Sequence, residues 1–236
     1  MDCSRENQRG ASTGLQLNKD ISQPINKRRT QEVAFSEGPI NYVALGDSTG
    51  TGLGSKQGGY VVRLFVNLRR QRPGSKLNNL CVSGATTADV IRSQLKRGVD
   101  SKPQLVTIGI GLNDITRGVP LDEFAANYEN ILKRLKAETE STIVVSNIPD
   151  VSSSSRIPPS MREQSQATIE RFNNRLQQIA VTNEVTVFDV YGLTRQELPA
   201  HPEYFSDDGF HPSDAGYQLW AVRMWPTVAA ALGLEH

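Results

Sequence analysis

Tyr42-Val43-Ala44-Leu45-Gly46-Asp47-Ser48-Thr49-Gly50 decides how this chain reads. Four apolar residues in a row are a short buried strand, and the Gly-Asp-Ser-Thr-Gly that follows breaks it into a tight turn. The turn leaves the Ser48 hydroxyl at a strand's carboxyl end, where open α/β sheets bind their ligands. Ser48 is therefore the candidate nucleophile. A serine hydroxyl is weak by itself and needs a base, an acid to orient that base, and donors for the oxyanion.

Outward from this stretch, strands and helices alternate. Val61, Leu64, Phe65 and Leu68 recur at helical spacing, and Arg69-Arg70-Gln71-Arg72 with Pro73-Gly74 ends that helix. Leu77 to Val82 predicts a second strand. Ser83-Gly84-Ala85-Thr86-Thr87 is a turn, with Thr87 as the expected cap of a helix through Val90, Ile91 and Leu95. Gln104 to Ile110 is the third strand. Leu121, Phe124, Tyr128, Ile131, Leu132 and Leu135 mark a long amphipathic helix, and Thr142 to Ser146 a fourth strand. After a Ser- and Pro-rich loop, Ile169, Phe172, Leu176 and Ile179 share one helix face. Val185 to Val190 is a fifth strand, 192 to 211 reads as irregular, and a last helix runs from Pro212 to Leu232, kinked or divided at Pro226.

Strands separated by helices predict a parallel sheet covered on both faces. The turns at 46–50, 83–87, 111–114 and 147–150 all follow strands, so such a sheet gathers them at one edge. Residues 1–38 are polar, without sustained period, and read as a tail or tether. The domain is expected over 39–233, and Leu234-Glu235-His236 resembles an expression-tag scar.

Composition narrows the function classes. A formal net charge of +1 argues against nucleic acid or an anionic membrane as partner, and no apolar run is long enough to span a bilayer. The two cysteines, Cys3 and Cys81, form neither a disulfide framework nor a metal site. Cys81 reads as an inert core residue. Cys3 reads as a solvated thiol, or as the lipidated first residue of a lipoprotein whose signal peptide has been removed. Asp47, Asp114 and Asp150 stand at strand ends, but aspartate has ready turn roles there and no metal or other cofactor is expected.

With His236 in the scar, the base is His201 or His211. His211 follows Asp208 by three residues in Ser206-Asp207-Asp208-Gly209-Phe210-His211, a spacing at which a compact loop brings the carboxylate to the imidazole Nδ1. Asp207 competes as the acid, although the turn through Gly209 favours Asp208, and Asp-x-x-His alone is equally a helix-capping loop. His201 has no acid placed comparably. The backbone N–H groups of Ser48 and Gly84 and the Asn113 amide are candidate oxyanion donors. Each has an ordinary turn role as its alternative, so singly they are weak signals.

Together they carry a resemblance. Gly46-Asp47-Ser48, Ser83-Gly84, Gly111-Leu112-Asn113-Asp114 and Asp208-x-x-His211 resemble the four blocks of the SGNH hydrolases, or GDSL esterases and lipases, over nearly all of the chain from Ile40 onward. The resemblance implies a flavodoxin-like three-layer α/β/α sandwich on a five-stranded parallel sheet. It also implies Ser48 as nucleophile, His211 as base, Asp208 as orienting acid, and Ser48, Gly84 and Asn113 as the oxyanion hole. Thr49 departs from the leucine of the family name, and Leu112 stands where many members have glycine. Gly46-x-Ser48-x-Gly50 also fits the α/β-hydrolase elbow. That fold would place its serine after a central strand and its acid and histidine on separate strand ends.

The expected activity is hydrolysis of short- to medium-chain carboxylic esters through an acyl-enzyme, on a small-molecule, lipid or carbohydrate ester. Deacetylase, lysophospholipase and thioesterase are the alternatives within the family. An acyl-binding module, and an envelope protein acting through its tail, are the alternatives outside it.

Overall fold

The computed structural model describes residues 38–234 of the chain. All but the last residue of the expected tail, together with Cys3, Glu235 and His236, lies outside the described residues. Leu234 itself packs against the core and donates its N–H to Ala229.

Five parallel strands form the sheet: β1 (Asn41–Gly46), β2 (Lys76–Asn79), β3 (Leu105–Gly109), β4 (Thr142–Ser146) and β5 (Thr186–Phe188). Their spatial order is β2-β1-β3-β4-β5, the flavodoxin-like order. The chain winds one way from β1 to β2 and the other way from β3 onward. The switch point therefore falls between β1 and β3, with Val43 opposite Val106 and Leu45 opposite Ile108.

Side-chain alternation along each strand builds two cores. Val43, Leu45, Val106, Ile108, Ile143 and Val145 point to one face. There they meet α4 (Leu95–Asp100), α6 (Leu121–Glu138) and α7 (Arg162–Thr182). Tyr42, Ala44, Leu105 and Val144 point to the other, against α2 (Tyr60–Gln71) and α9 (Asp214–Ala231). Tyr60 on α2 stacks on Trp220 of α9 with centroids 4.9 Å apart. Burial of each such side chain contributes about 1.5–3 kcal/mol, which is what holds the helices on the sheet.

The structure adjusts several expected boundaries. β2 ends at Asn79, and its continuation toward Val82 keeps only the bonds from Leu80 N to Ala44 O and from Val82 N to Gly46 O. The β5 ladder is similarly short. Thr86, not Thr87, caps α3 (Thr87–Asp89), in a reciprocal box with Asp89, and the chain continues through a π-helical turn, Val90–Gln94, into α4. The stretch read as irregular from 192 contains α8 (Val190–Glu197), which Asp189 caps by accepting the Gly192 N–H. Glycine and threonine inside α8 hid its period. α9 is one helix through Pro226. Pro226 and Val222, whose carbonyl loses its partner, are both exposed, so water satisfies that group and the helix need not break. Cys81 is half-buried.

Candidate active site

β1 delivers Ser48 to the switch point. Gly46 lies so close to β3 that a Cβ there would come within 2.3 Å of the Gly109 carbonyl oxygen, so only glycine lets the strand turn at that point. Asp47 then caps the short helix α1 (Ser48–Thr51), its Oδ1 accepting the Thr49 N–H and hydroxyl, each at 2.9 Å. Burial pushes the Asp47 carboxyl up to about 6, against the opposing pull of the Thr49 hydrogen bonds. Ser48 is 8% exposed, open to the cavity beside it and enclosed elsewhere.

The loop between α8 and α9 carries the partners. Ser48 Oγ lies 3.0 Å from His211 Nε2, and His211 Nδ1 lies 2.6 Å from Asp208 Oδ2. With its proton on Nδ1, the imidazole donates to Asp208, leaving Nε2 to accept from the serine. Asp208 Oδ1 accepts the Phe210 and His211 N–H groups at 2.8 and 2.9 Å and the Ser206 hydroxyl at 2.9 Å. Burial works against this carboxylate's charge, but the hydrogen bonds outweigh it and hold the group far below the usual carboxylate range. The two alternatives lie elsewhere. Asp207 is exposed, and His201 is held by Glu203, with Nδ1 2.9 Å from Oε1.

The candidate oxyanion donors come from two further strand ends. Gly84 has φ +79°, a left-handed backbone that glycine adopts without strain, and its carbonyl accepts from Arg117 at 2.6 Å. Asn113, in α5 (Leu112–Thr116), donates its amide to Ala85 O at 3.0 Å, with Asp47 Oδ2 at 3.4 Å from the same nitrogen. The buried Asp114 beside it accepts the Thr87 N–H and hydroxyl, which ties the 83–87 turn to the 111–114 turn. Burial raises the Asp114 carboxyl, opposed by those same bonds. Asp150 likewise serves its own loop, accepting from Ser152 N and Gln166. Among the described residues, no group of three or more His, Cys, Asp or Glu side chains is placed to hold a metal.

Ser48, His211, Gly84 and Asn113 line one cavity of about 390 Å³, with Asp208 behind the histidine. Its other walls are largely apolar: Leu53, Leu112, Leu193, Leu198, Phe210 and Trp220. The loops expected to shape it, 50–59, 150–160 and 192–207, all contribute, whereas 115–120 does not. Arg117, Gln94 and Ser154 support the site from behind, and their sequence neighbourhoods carry no signal that marks them. Only the tertiary fold brings them to Gly84, Gly46 and Gly209.

Residues 44–219 match the GDSL-like lipase/acylhydrolase family, a span holding all four blocks. The chain belongs to that family. Solved structures similar to this GDSL-like chain share its fold. A catalytic variant of Axe2, an acetylxylan esterase from Geobacillus stearothermophilus, is 20% identical, with a TM-score of 0.69 over 85% of this chain and 97% of that one. A lipase/acylhydrolase from Enterococcus faecalis is 20% identical, with a TM-score of 0.66 over 84% and 100%. LAE5, an α/β hydrolase enzyme from the metagenome of Lake Arreo, is 21% identical, with a TM-score of 0.66 over 84% and 97%. No curated protein matches the chain. No helix among the described residues of this GDSL-like protein is long and apolar enough to cross a membrane.

Proposed function

We propose that the protein is a serine carboxylesterase acting through an acyl-enzyme on Ser48. The observation that carries this reading is the hydrogen-bonded line Ser48–His211–Asp208 opening onto an apolar cavity. His211 Nε2 takes the Ser48 proton as Oγ attacks the ester carbonyl. Asp208 keeps the imidazole in the required tautomer and stabilises its positive charge. The tetrahedral oxyanion is met by the N–H groups of Ser48 and Gly84 and by the Asn113 amide, each donor worth roughly 10²–10³ in rate. Collapse of the intermediate expels the alcohol, which leaves with the proton from His211. Water, deprotonated by the same histidine, then releases the acid and regenerates Ser48.

The cavity's apolar walls and its volume of about 390 Å³ support short- to medium-chain acyl groups over acetyl alone. The test is covalent. An organophosphonate should stop turnover of p-nitrophenyl esters and add to Ser48, seen by peptide mass spectrometry, and the rate should rise from two-carbon to six- or eight-carbon acyl chains. Undiminished hydrolysis with Ser48 unlabelled would sink the reading, and a rate that falls steadily from acetyl onward would favour a deacetylase.

A further inference from the structure

Among the residues lining the cavity at Ser48 is Arg156, an exposed arginine that the proposed reaction does not use and that no carboxylate among the described residues pairs with. Its Nε donates to the Asp208 carbonyl at 2.7 Å, fastening the guanidinium to the loop that carries His211. The strap holding it there is built into the fold. The Arg156 N–H is accepted by the hydroxyl of the fully buried Ser154 at 3.1 Å, and that hydroxyl donates to the Gly209 carbonyl at 2.5 Å. Among the described residues no carboxylate lies within 4.0 Å of the guanidinium, and both Nη groups keep their donors unspent. Of the acidic residues elsewhere in the lining, Asp47 is buried and accepts from Thr49, and Glu197 is within 4.0 Å of His201 and 3.8 Å of Arg223.

We propose that Arg156 is a specificity-determining residue that reads a carboxylate or phosphate on the alcohol portion of the substrate. The proposal rests on the esterase reading of the site. His211 hands its proton to the departing alcohol, so that portion leaves along the histidine's side of the cavity, and Arg156 is pinned to the same loop. The oxyanion donors Gly84 and Asn113 belong to other strand ends. An exposed guanidinium at a cavity with apolar walls, with both Nη groups unspent, pairs best with an oxyanion group that accepts two parallel N–H bonds. An arginine serving only to brace the loop would alter all esters alike, whereas one that reads an anion alters their ratio.

The experiment compares 4-acetoxybenzoate, 4-acetoxyphenyl phosphate and the neutral 4-acetoxybenzamide on the full chain, the parent beside Arg156→Gln and Arg156→Lys. At low salt the parent should favour the anionic esters in kcat/KM by about fivefold, the upper end for a solvent-exposed ion pair. Arg156→Gln should bring the ratios to those set by intrinsic ester reactivity, and Arg156→Lys should keep part of the preference. The two anionic arms separate a phosphate site from a carboxylate site. High salt should shrink the parent's preference, which keeps the test valid if the Gln variant folds poorly. A parent without the preference, or an Arg156→Gln protein that keeps it, overturns the proposal while leaving esterase activity standing. Failure to hydrolyse all three esters, and p-nitrophenyl hexanoate beside them, overturns both.

Discussion

Gln94 pairs with both backbone polar groups of Gly46: its Oε1 accepts the Gly46 N–H at 2.8 Å and its Nε2 donates to the Gly46 carbonyl at 2.8 Å. Gly46 is the last residue of β1, two before Ser48, and Gln94 reaches it from the final position of the π-helical turn. Such turns shift a helix face by one residue and recur at functional sites. Here the shift serves the end of the strand that presents the serine.

Gln94 is fully buried, so Gln94→Leu keeps the volume and strips the Gly46 N–H of its partner. The expected cost is about 1–3 kcal/mol of stability. Urea denaturation of the variant beside the parent measures it, and an unchanged midpoint would show that the pair contributes nothing.

Asp208→Asn should lower kcat by about 10²–10⁴, by the logic of a histidine driven into the wrong tautomer. Asp208 Oδ1 already accepts two backbone N–H groups and a hydroxyl, so an asparagine must keep its oxygen there. Its NH₂ then faces His211 Nδ1 and moves the imidazole proton to Nε2, where it blocks the base. His201→Ala is the control and should retain turnover, because His201 contacts Glu203 rather than Ser48. Steady-state kinetics on a p-nitrophenyl ester distinguish the two, and comparable losses in both would contradict the assignment.

Asn113→Ala should reduce kcat by about 10²–10³ with little change in KM, since an oxyanion donor acts on charge that develops only in the transition state. Its nitrogen donates to Ala85 O at 3.0 Å and to Asp47 Oδ2 at 3.4 Å, and the longer of the two bonds is the one an oxyanion would replace. A variant with raised KM and parental kcat would instead make Asn113 a ground-state binder.

Asp47→Asn tests a buried charge through pH. The Asp47 carboxyl, raised to about 6 by burial, binds its proton more tightly folded than unfolded. Its ionisation therefore costs stability as pH rises through the interval from about 4 to 6, by about 3 kcal/mol in total. Asparagine cannot ionise, yet its Oδ1 can still cap Thr49. The variant should gain on the parent as pH rises through that interval, with the difference constant below about pH 4 and above about pH 7. Thermal melts across pH 3.5–8 give the curve, and a difference independent of pH would refute the burial cost.

The parts of this protein that were legible before folding are those whose physics is local. Apolar runs broken by turn residues predicted the strands, 3.6-residue spacing predicted α2, α6 and α7, and their alternation predicted the parallel sheet. Asp208 and His211, three residues apart in one loop, were readable as a pair for the same reason. Misreadings came where a distant partner overrode local pattern. Thr87 looked like a cap because its neighbour Asp114, on another strand end, was out of view. α8 looked irregular because its stability comes from the Asp189 cap and from packing of Val190 rather than from propensity. Pro226 reads as a kink or a division, and the helix is not divided because the residue whose carbonyl loses its partner, Val222, is exposed.

The sequence by itself determined the α/β class and the four short blocks, because strand, turn and helix signals act over a few residues. It joined Ser48 to His211 only through the resemblance of the four blocks, since no local spacing links them. Tertiary structure decided that they stand 3.0 Å apart across 163 positions of chain, since contact at that range depends on sheet order and on loop anchors such as Gln94 and Ser154. It also decided the cavity's walls and put Arg156 among them, because loops of no regular pattern take their shape from what they pack against.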